Sequence, residues 1–192
     1  MNGKIDSHPY VRLARTTISR LLRGEPLPDS GTAAVSDTDR WGDELWNDEL
    51  WKIERACFVS IKTLQGNLRG CIGTILPTRP SLDLEIIFNA VAASTRDPRF
   101  PPMKASELDD ATLSVDVLGL PEPVSDRNEL DPAVWGVIVS RGMLRGVLLP
   151  DLEGVDTVEQ QLDIAAQKAG IRKIDSAVTI ERFRVDRYKE RT

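Results

Sequence analysis

Hydrophobic residues recur at helical spacing near the start of the chain. Between Pro9 and Arg23 they fall on one face of a helix with 3.6 residues per turn, at Val11, Ala14, Ile18, Leu21 and Leu22. Asp6 or Ser7 can cap the first turn, and Gly24 follows the last one. The spacing therefore predicts a helix that begins at residue 9 and ends at residue 23.

The pattern changes to that of a β-hairpin after residue 55. Residues 56–61 are β-prone, residues 65–67 form a turn sequence with a central glycine, and residues 68–76 return as the second strand. Pro77 and Pro80 follow, and proline cannot donate a backbone hydrogen bond to a sheet. We therefore expect the hairpin to end before residue 77.

A second hairpin is predicted from residue 134 to residue 149, around the turn pair Arg141-Gly142. Its second strand repeats a Leu-Arg-Gly sequence of the first hairpin, at residues 144–146 and 68–70, and both copies run on to Leu-Pro. This short match indicates two related half-sheets.

Helical spacing returns between the two hairpins. Ser81 can cap a helix that has Asp83 and Glu85 in its first turn. Its predicted inner face consists of Leu84, Ile87, Phe88, Val91 and Thr95. The helix ends near Arg96, because Asp97 precedes a proline and is biased away from helical geometry.

Four further elements complete the pattern. They are a helical turn at residues 106–108, a half-buried strand at residues 113–117, a helix from the capping-box pair Thr157 and Gln160 through Ala169, and a last strand at residues 177–185. Hairpins joined through single helices, without repeated βα crossovers, indicate an α+β fold with a mostly antiparallel sheet flanked by helices.

The length and charge of the chain narrow its class. A chain of 192 residues buries roughly 70% of its unfolded surface, so we expect a single domain over residues 1–192. Its 25 Lys and Arg against 30 Asp and Glu leave a net charge of −5, which disfavours nucleic-acid binding. No apolar run approaches the roughly 20 residues of a membrane span, and residues 1–6 lack the apolar region of a secretory signal. We therefore expect a soluble cytoplasmic protein that does not associate with membranes.

The small numbers of cysteine and histidine exclude several common kinds of metal and catalytic site. The only cysteines are Cys57 and Cys71, which excludes a zinc site built from cysteines. His8 is the only histidine, so a Ser-His-Asp relay lacks most of its parts. We expect His8 to be a surface residue, because nothing in the sequence ties it to Cys71 as a catalytic base. No glycine-rich phosphate loop is present, and we predict no metal site and no cofactor.

Residues 41–51 contain a short internal repeat with tryptophans at positions 41, 46 and 51. A helix would scatter rings that lie five residues apart around its axis, so they do not line one face. Two interpretations stay open: an aromatic docking surface for a partner, or a local duplication that packs partly on the body. The repeat also hints at self-association.

One segment resembles a known family. The heptapeptide Leu-Arg-Gly-Cys-Ile-Gly-Thr at residues 68–74 is similar to the hallmark motif of the AMMECR family. The resemblance continues in order along most of the chain, at residues 13–15, 56–60, 90–93, 97–102, 115–118, 148–150 and 168–170. It has a gap at residues 25–52, which we interpret as a loop or an insertion that diverges from the family.

The resemblance implies a two-lobed AMMECR-type fold, with a larger and a smaller lobe and the hallmark strand near their cleft. Members of this family occur alone, or joined with a radical-SAM domain and a Memo-like domain. The resemblance therefore implies work beside a radical-SAM or Memo-like protein. It implies no particular activity, because the biochemistry of the family is poorly defined.

The hallmark segment brings reactive residue types together on one predicted strand. Strand alternation places Arg69, Cys71 and Gly73 on one face and Gly70 on the other. Glycines inside a strand indicate a bulge or a close approach by a ligand or another backbone, and a nearby arginine favours a thiolate. The segment, with Thr74, is either a pocket with an anion-binding arginine and a reactive or substrate-contacting thiol, or a packed strand of the core.

Three further candidates lie outside this strand. Arg99, in a loop stiffened by prolines, is suited to gripping a carboxylate or phosphate while Asp97 orients it, or the two form a structural ion pair. Asp116 lies in the middle of a predicted strand. It either faces solvent or contributes a carboxylate to the cleft, where Arg69 or Arg99 would be its partner.

Two functions follow from these residues. In the leading hypothesis the protein is a binding or accessory module, and a cleft lined by Arg69, Cys71, Asp97 and Arg99 receives a small anionic ligand or a segment of a partner. In the alternative it is an enzyme that uses Cys71 as a nucleophile or radical partner, with the arginines stabilising negative charge. Because the candidate residues are arginines, an aspartate and one thiol, they favour binding of an anion over acid–base catalysis.

Overall fold

The computed structural model describes residues 8–29 and 52–190. The chain divides into two units: unit 1 comprises residues 1–117 and 187–192, and unit 2 comprises residues 118–186. The described elements, in chain order, are α1 (Pro9–Arg23), β1 (Cys57–Thr63), β2 (Leu68–Gly73), α2 (Leu82–Thr95), α3 (Ala105–Leu108), β3 (Ala111–Leu118), β4 (Glu122–Pro123), a 3-10 helix (Arg127–Glu129), β5 (Gly136–Arg141), β6 (Leu144–Leu148), α4 (Val158–Lys168), β7 (Thr179–Phe183) and β8 (Val185–Lys189).

The sheet of unit 1 has the strand order β2-β1-β3-β8, and β1 is antiparallel to both of its neighbours. Alternation along β1 places Cys57, Val59 and Ile61 on the buried face, where residues of α1 and α2 complete a hydrophobic core. The opposite face of β1 carries Phe58 and Ser60, which are half-buried. The predicted first hairpin is confirmed, and its second strand lies at the edge of the sheet.

Helix α1 has the predicted bounds, and His8 caps it. The Nδ1 atom of His8 accepts a hydrogen bond from the N–H of Tyr10 (3.4 Å), and its ring stacks on Tyr188 with centroids 4.0 Å apart. Asp6 and Ser7 lie outside the described residues. The prediction of a surface histidine is wrong, because these aromatic contacts half-bury the ring, and burial lowers the pKa of His8.

Helix α2 begins after Ser81 and ends before Arg96, as predicted. Its buried face is not the predicted one, because Glu85 and Asn89 are fully buried whereas most of the predicted face is half-buried, at Leu84, Phe88, Val91 and Thr95. The reason is that α2 packs against α1, β1 and β2 at once. A helix with neighbours on several sides does not show one clear apolar stripe.

The sheet of unit 2 has the strand order β4-β7-β5-β6, and α4 packs on β5 and β6. The predicted capping box is confirmed: Oγ1 of Thr157 accepts from the N–H of Gln160 (3.2 Å), and Oε1 of Gln160 accepts from the N–H of Thr157 (3.0 Å). Together with the antiparallel sheet of unit 1, this arrangement confirms the predicted α+β fold.

The C-terminal part of the chain corrects one prediction. The strand expected at residues 177–185 is confirmed as β7 in the sheet of unit 2, but it is not the last one: β8, which was not predicted, follows in the sheet of unit 1. The ladder breaks at Arg184, whose carbonyl accepts a hydrogen bond from the N–H of Gly119 (2.8 Å). Continuous β-prone sequence does not reveal such a change of sheet, because both strands have the same local pattern.

The two units repeat one ββαβ arrangement. In each, a hairpin is followed by a helix that packs on it and by a strand that pairs antiparallel with the first hairpin strand. A Cβ atom on Gly70 would lie 2.2 Å from the carbonyl oxygen of Ala93, and one on Gly146 would lie 1.9 Å from that of Ala165. The shared Leu-Arg-Gly sequence therefore marks corresponding points of two related half-sheets.

Two further predictions from the sequence concern membrane spans and the tryptophan repeat. No helix in the described ranges is long and apolar enough to cross a bilayer. The tryptophan repeat at residues 41–51 lies outside the described part of the chain, so its two interpretations stay predictions.

Candidate functional site

The backbone of Cys71 faces outward from β2, the edge strand of the unit 1 sheet. Its N–H donates a hydrogen bond to Oδ2 of Asp97 (2.8 Å), and its carbonyl accepts one from Nη2 of Arg99 (3.2 Å). The two side chains thus bond to the strand as a neighbouring strand would. This closes the edge of the sheet at Cys71.

The loop after α2 holds Asp97 and Arg99 in one rigid pair. Oδ1 of Asp97 accepts from the backbone N–H (3.1 Å) and Nε (2.9 Å) of Arg99, and Oδ2 accepts from Nη2 (2.7 Å). Asp97 is only 4% exposed, whereas the Arg99 side chain is 54% exposed. Hydrogen bonds from Arg99 hold the pKa of Asp97 well below its usual range, so the carboxylate is charged at neutral pH.

Arg99 presents its remaining donors to solvent. Nε and Nη2 are engaged, and Nη1 has no hydrogen-bond partner among residues 8–29 and 52–190. Because the guanidinium is planar, two bonded nitrogens fix the direction of the third. Nη1 is therefore a preoriented donor for a carboxylate or phosphate oxygen.

The thiol of Cys71 is half-buried beside this pair. Oγ of Ser60, its cross-strand neighbour on β1, donates a hydrogen bond to Sγ (3.2 Å). Burial raises the pKa of the Cys71 thiol, while Ser60 and then Arg99 act in the opposite direction. The expectation of a thiolate favoured by Arg69 is therefore wrong: burial has the larger effect, and the nearby cation is Arg99.

Arg69 is engaged elsewhere. It forms a two-point ion pair with Glu107 (Nε–Oε1 2.7 Å, Nη2–Oε2 3.2 Å) and donates to the carbonyl of Pro101 (3.0 Å). Its side chain is 14% exposed. Hydrogen bonds from Arg69 lower the pKa of Glu107, so this carboxylate is charged at neutral pH. Arg69 thus holds the loop between α2 and α3 in place, and its guanidinium is paired with Glu107.

Packing accounts for both glycines of the hallmark segment. Gly70 lies against the backbone of α2, and a Cβ on Gly73 would lie 2.2 Å from the ring of Phe58. Thr74, the last residue of the motif, donates a hydrogen bond to the buried carboxylate of Glu85. The close approach predicted for these glycines is therefore made by a helix backbone and an aromatic ring.

Asp116 has a different environment from either one predicted. It is 5% exposed, and its carboxylate pairs with Arg187 of β8 (2.8 Å). Solvent exposure is therefore wrong for this residue, and so is pairing with Arg69 or Arg99. Cys71, Ser60 and Ser114 pair with one another across three strands. Asp116 lies two residues beyond Ser114 on β3, so it is on the same face of the sheet, one row away from Cys71.

Three of the predicted residues form one cluster, and the others lie in different surroundings. Cys71, Asp97 and Arg99 contact one another, whereas Asp116 and Thr74 bond to residues outside the prediction. Sequence reasoning missed the direct partners Ser60, Glu107, Glu85 and Arg187. Only Ser60 carried a signal, since hairpin register places it across from Cys71. The other three are far from their partners in sequence or were assigned only to a helix start.

The cluster is balanced in charge. Asp97 offsets Arg99, Glu107 offsets Arg69, and these carboxylates are bonded to arginine nitrogens. In the described part of the chain, no group of three His, Cys, Asp or Glu side chains has the arrangement of a metal site. What the arrangement can do is donate directional hydrogen bonds from Arg99 beside a neutral thiol.

Comparison with known proteins places the chain among relatives of similar length. A family model described as AMMECR1 matches residues 11–189. A protein of Thermotoga maritima is 50% identical over 185 residues, which cover 96% of this chain and 99% of that protein. A protein of Methanothermobacter thermautotrophicus is 36% identical and is covered to 94%, against 96% of this chain.

Two further comparisons bear on architecture. A protein of Clostridium acetobutylicum is 44% identical over 97% of this chain, but the match covers 37% of that longer protein. The crystal structure of the uncharacterized protein PH0010 from Pyrococcus horikoshii matches with a TM-score of 0.78 and 28% identity, over 97% of this chain and 94% of that chain. The fold described above is therefore shared nearly end to end with a solved structure.

Proposed function

Since the chain belongs to the AMMECR1 family, we propose that it is a binding or accessory module in which Arg99 holds a small anionic ligand or an anionic segment of a partner. The observation that carries this proposal is the fixed guanidinium. Asp97 and the Cys71 carbonyl bind two of its nitrogens, and the third is free of described partners.

The charge balance of the cluster defines the ligand class. Because each arginine already faces a carboxylate, the site has no large positive field to attract a polyanion. Recognition rests on directional donors, which suit a single carboxylate or phosphate group. A small ligand, or one acidic side chain of a partner segment, fits this description.

Cys71 has the role of a contact residue in this proposal. Its raised thiol pKa leaves it neutral at physiological pH, whereas a cysteine nucleophile acts as the thiolate. A neutral thiol beside a guanidinium offers a small polarisable surface next to a charged anchor. The alternative of a cysteine-dependent enzyme has less physical support.

The accessory role draws on the context of the domain. The Clostridium relative contains this domain within a longer chain. The family resemblance of the hallmark segment implies a radical-SAM or Memo-like protein as the partner, and we propose that the Arg99 site faces such a protein's substrate or one of its segments.

An NMR titration tests the anion site. Inorganic phosphate, acetate and succinate are added separately to ¹⁵N-labelled protein, and the amide signals of Cys71 and Arg99 and the Arg99 Nε signal are followed. We expect saturable shifts for at least one anion, and a dissociation constant at least ten-fold higher in Arg99→Gln. The matched control is Arg145→Gln, which removes another ion-paired arginine. Shifts absent for all three anions, or unchanged affinity in Arg99→Gln whatever its Tm, contradict the proposal.

A further inference from the structure

A groove of about 720 Å³ opens in unit 2 beside the C-terminal half of α4. The chain turns at Gly170, which has a φ of 74°, and the N–H of Ile171 donates to the carbonyl of Ala166 (2.9 Å). Residues 171–174 therefore return beside the helix, and the apolar part of the lining consists of Ile164, Ala166, Ile171 and Ile174. The groove thus has an apolar floor in an otherwise acidic protein.

Three cations lie in or next to this groove. Lys168, Arg172 and Lys173 are exposed, and none has an ion pair or side-chain hydrogen bond within the described ranges. They outweigh Asp163, the acidic residue of the lining, and the roughly half negative charge at the end of α4. The rim is therefore positive, although the chain as a whole carries a net charge of −5.

The sequence contains one segment of complementary chemistry. Residues 41–51 hold no Lys or Arg, and they combine four acidic residues with five large apolar ones: Asp43, Glu44, Asp48 and Glu49, and Trp41, Leu45, Trp46, Leu50 and Trp51. Large aromatic side chains are the usual anchors of protein interfaces. The site described on β2 makes no use of this segment.

We propose that the groove of one copy of this chain binds residues 41–51 of a second copy. Apolar side chains of the segment cover the floor, and its carboxylates face Lys168, Arg172 and Lys173. Residue 41 lies 11 residues before the described Lys52 and reaches at most about 35 Å from it, whereas Trp51 is bonded directly to Lys52, so the groove of the partner copy must lie near Lys52. Reciprocal exchange makes two equal contacts and closes the assembly as a two-fold dimer.

A peptide titration tests the groove. The probe is a fluorescein-labelled peptide with the sequence of residues 41–51, and its anisotropy is measured against the full chain. We expect saturable binding that weakens with salt, and at least ten-fold weaker binding to the double variant Arg172→Glu/Lys173→Glu. The matched control is Arg127→Glu/Lys62→Glu, which reverses two exposed charges outside the groove. No binding, or equal loss in both variants, overturns the assignment of the groove.

Sedimentation velocity tests the second copy as the occupant. We expect a concentration-dependent dimer that is lost in Arg172→Glu/Lys173→Glu and in a variant whose four acids at positions 43, 44, 48 and 49 are lysines. Mixing these two variants restores dimer, because both contacts of the mixed dimer are complementary, one with the original charges and one with both charges reversed. A chain that stays monomeric well above the dissociation constant of the peptide overturns the second copy as occupant, even if the peptide binds.

Discussion

The two units repeat the same ββαβ arrangement but differ at one corresponding point. In unit 1, strand β2 carries Cys71, whose backbone is bonded by Asp97 and Arg99. The corresponding residue of β6 is Val147, and no side chain in the described part of the chain hydrogen-bonds its backbone. The comparison separates the scaffold, which both units share, from the Cys71-Asp97-Arg99 cluster, which unit 1 alone has.

The shared scaffold includes a buried amide in each unit. Nδ2 of Asn89 donates to the carbonyl of Cys57 (3.0 Å), and Nε2 of Gln161 donates to that of Trp135 (2.7 Å). Each amide lies four residues before the alanine that contacts the Leu-Arg-Gly glycine, and each ties its helix to the start of a hairpin. A buried polar residue in the same place of both units is therefore structural rather than part of a site.

The largest expected effect comes from the glycines that both units share. Gly70→Ala places a methyl group 2.2 Å from a helix carbonyl oxygen, and Gly146→Ala places one 1.9 Å from another, so in both variants the backbone must move. We expect each to lower the free energy of unfolding by about 3 kcal/mol, measured by urea denaturation. Gly66→Ala is the control, since open space surrounds its Cβ position and only its positive φ costs energy. Similar costs at all three positions contradict the close-contact explanation.

The next effect concerns the pair that only unit 1 has. Asp97→Asn keeps the size of the side chain but removes its charge, and we expect a loss of about 2 kcal/mol at pH 7 because a buried partner of Arg99 is lost. The pKa of Asp97 is lowered by folding, so its stabilisation is complete above about pH 4 and disappears as the pH falls through the lower folded value. Urea denaturation of the unchanged protein and of Asp97→Asn is measured from pH 7 to pH 3. The difference between their free energies of unfolding is expected to shrink as the pH falls, and a constant difference contradicts the explanation.

A smaller difference in stability is expected between the arginines of the two Leu-Arg-Gly sequences, Arg69 and Arg145. Arg69 makes two contacts with Glu107 and one with a carbonyl, and its side chain is 14% exposed. Arg145 contacts Glu181 through one nitrogen (3.0 Å), donates to Oγ of Ser140 (3.2 Å), and is 36% exposed. Arg69→Ala is expected to cost about 1.5 kcal/mol and Arg145→Ala about 0.5 kcal/mol. Equal losses in urea denaturation show that burial of the ion pair does not matter here.

The smallest expected effect is chemical rather than structural. Because burial raises its pKa, the Cys71 thiol reacts with iodoacetamide several-fold more slowly than free cysteine at pH 8, and its rate rises at a higher pH. Cys71→Ser supplies the background, since Cys57 is buried with its pKa raised to about 12. Mass spectrometry of the alkylated protein gives the rates. Alkylation faster than free cysteine supports the nucleophile alternative instead.

Local patterns predicted most elements because their causes are local. The bounds of α1 follow from helical spacing and Gly24, and the capping box of α4 follows from two residues three positions apart. The errors come from contacts between distant segments. His8 is half-buried by Tyr188, and strand β8, which follows the predicted strand 177–185 in the other sheet, was not predicted.

The candidate site shows the same division. Cys71, Asp97 and Arg99 were identified from residue types and a resemblance, and the structure places them in contact. Which arginine has donors to spare was not predictable, because Glu107 lies 38 residues from Arg69. The partner of Asp116 is 71 residues away, and no spacing rule reaches that far.

The sequence by itself determined the α+β class, most of the helices and strands, the family and the candidate site residues. It did so because periodicity, caps and turn residues act over a few positions of the chain. Only the tertiary structure decided that Arg69 is paired with Glu107, that Nη1 of Arg99 has no hydrogen-bond partner among the described residues, and that burial raises the pKa of the Cys71 thiol. These outcomes depend on burial and on which charges meet across the fold, and both are set by distant segments.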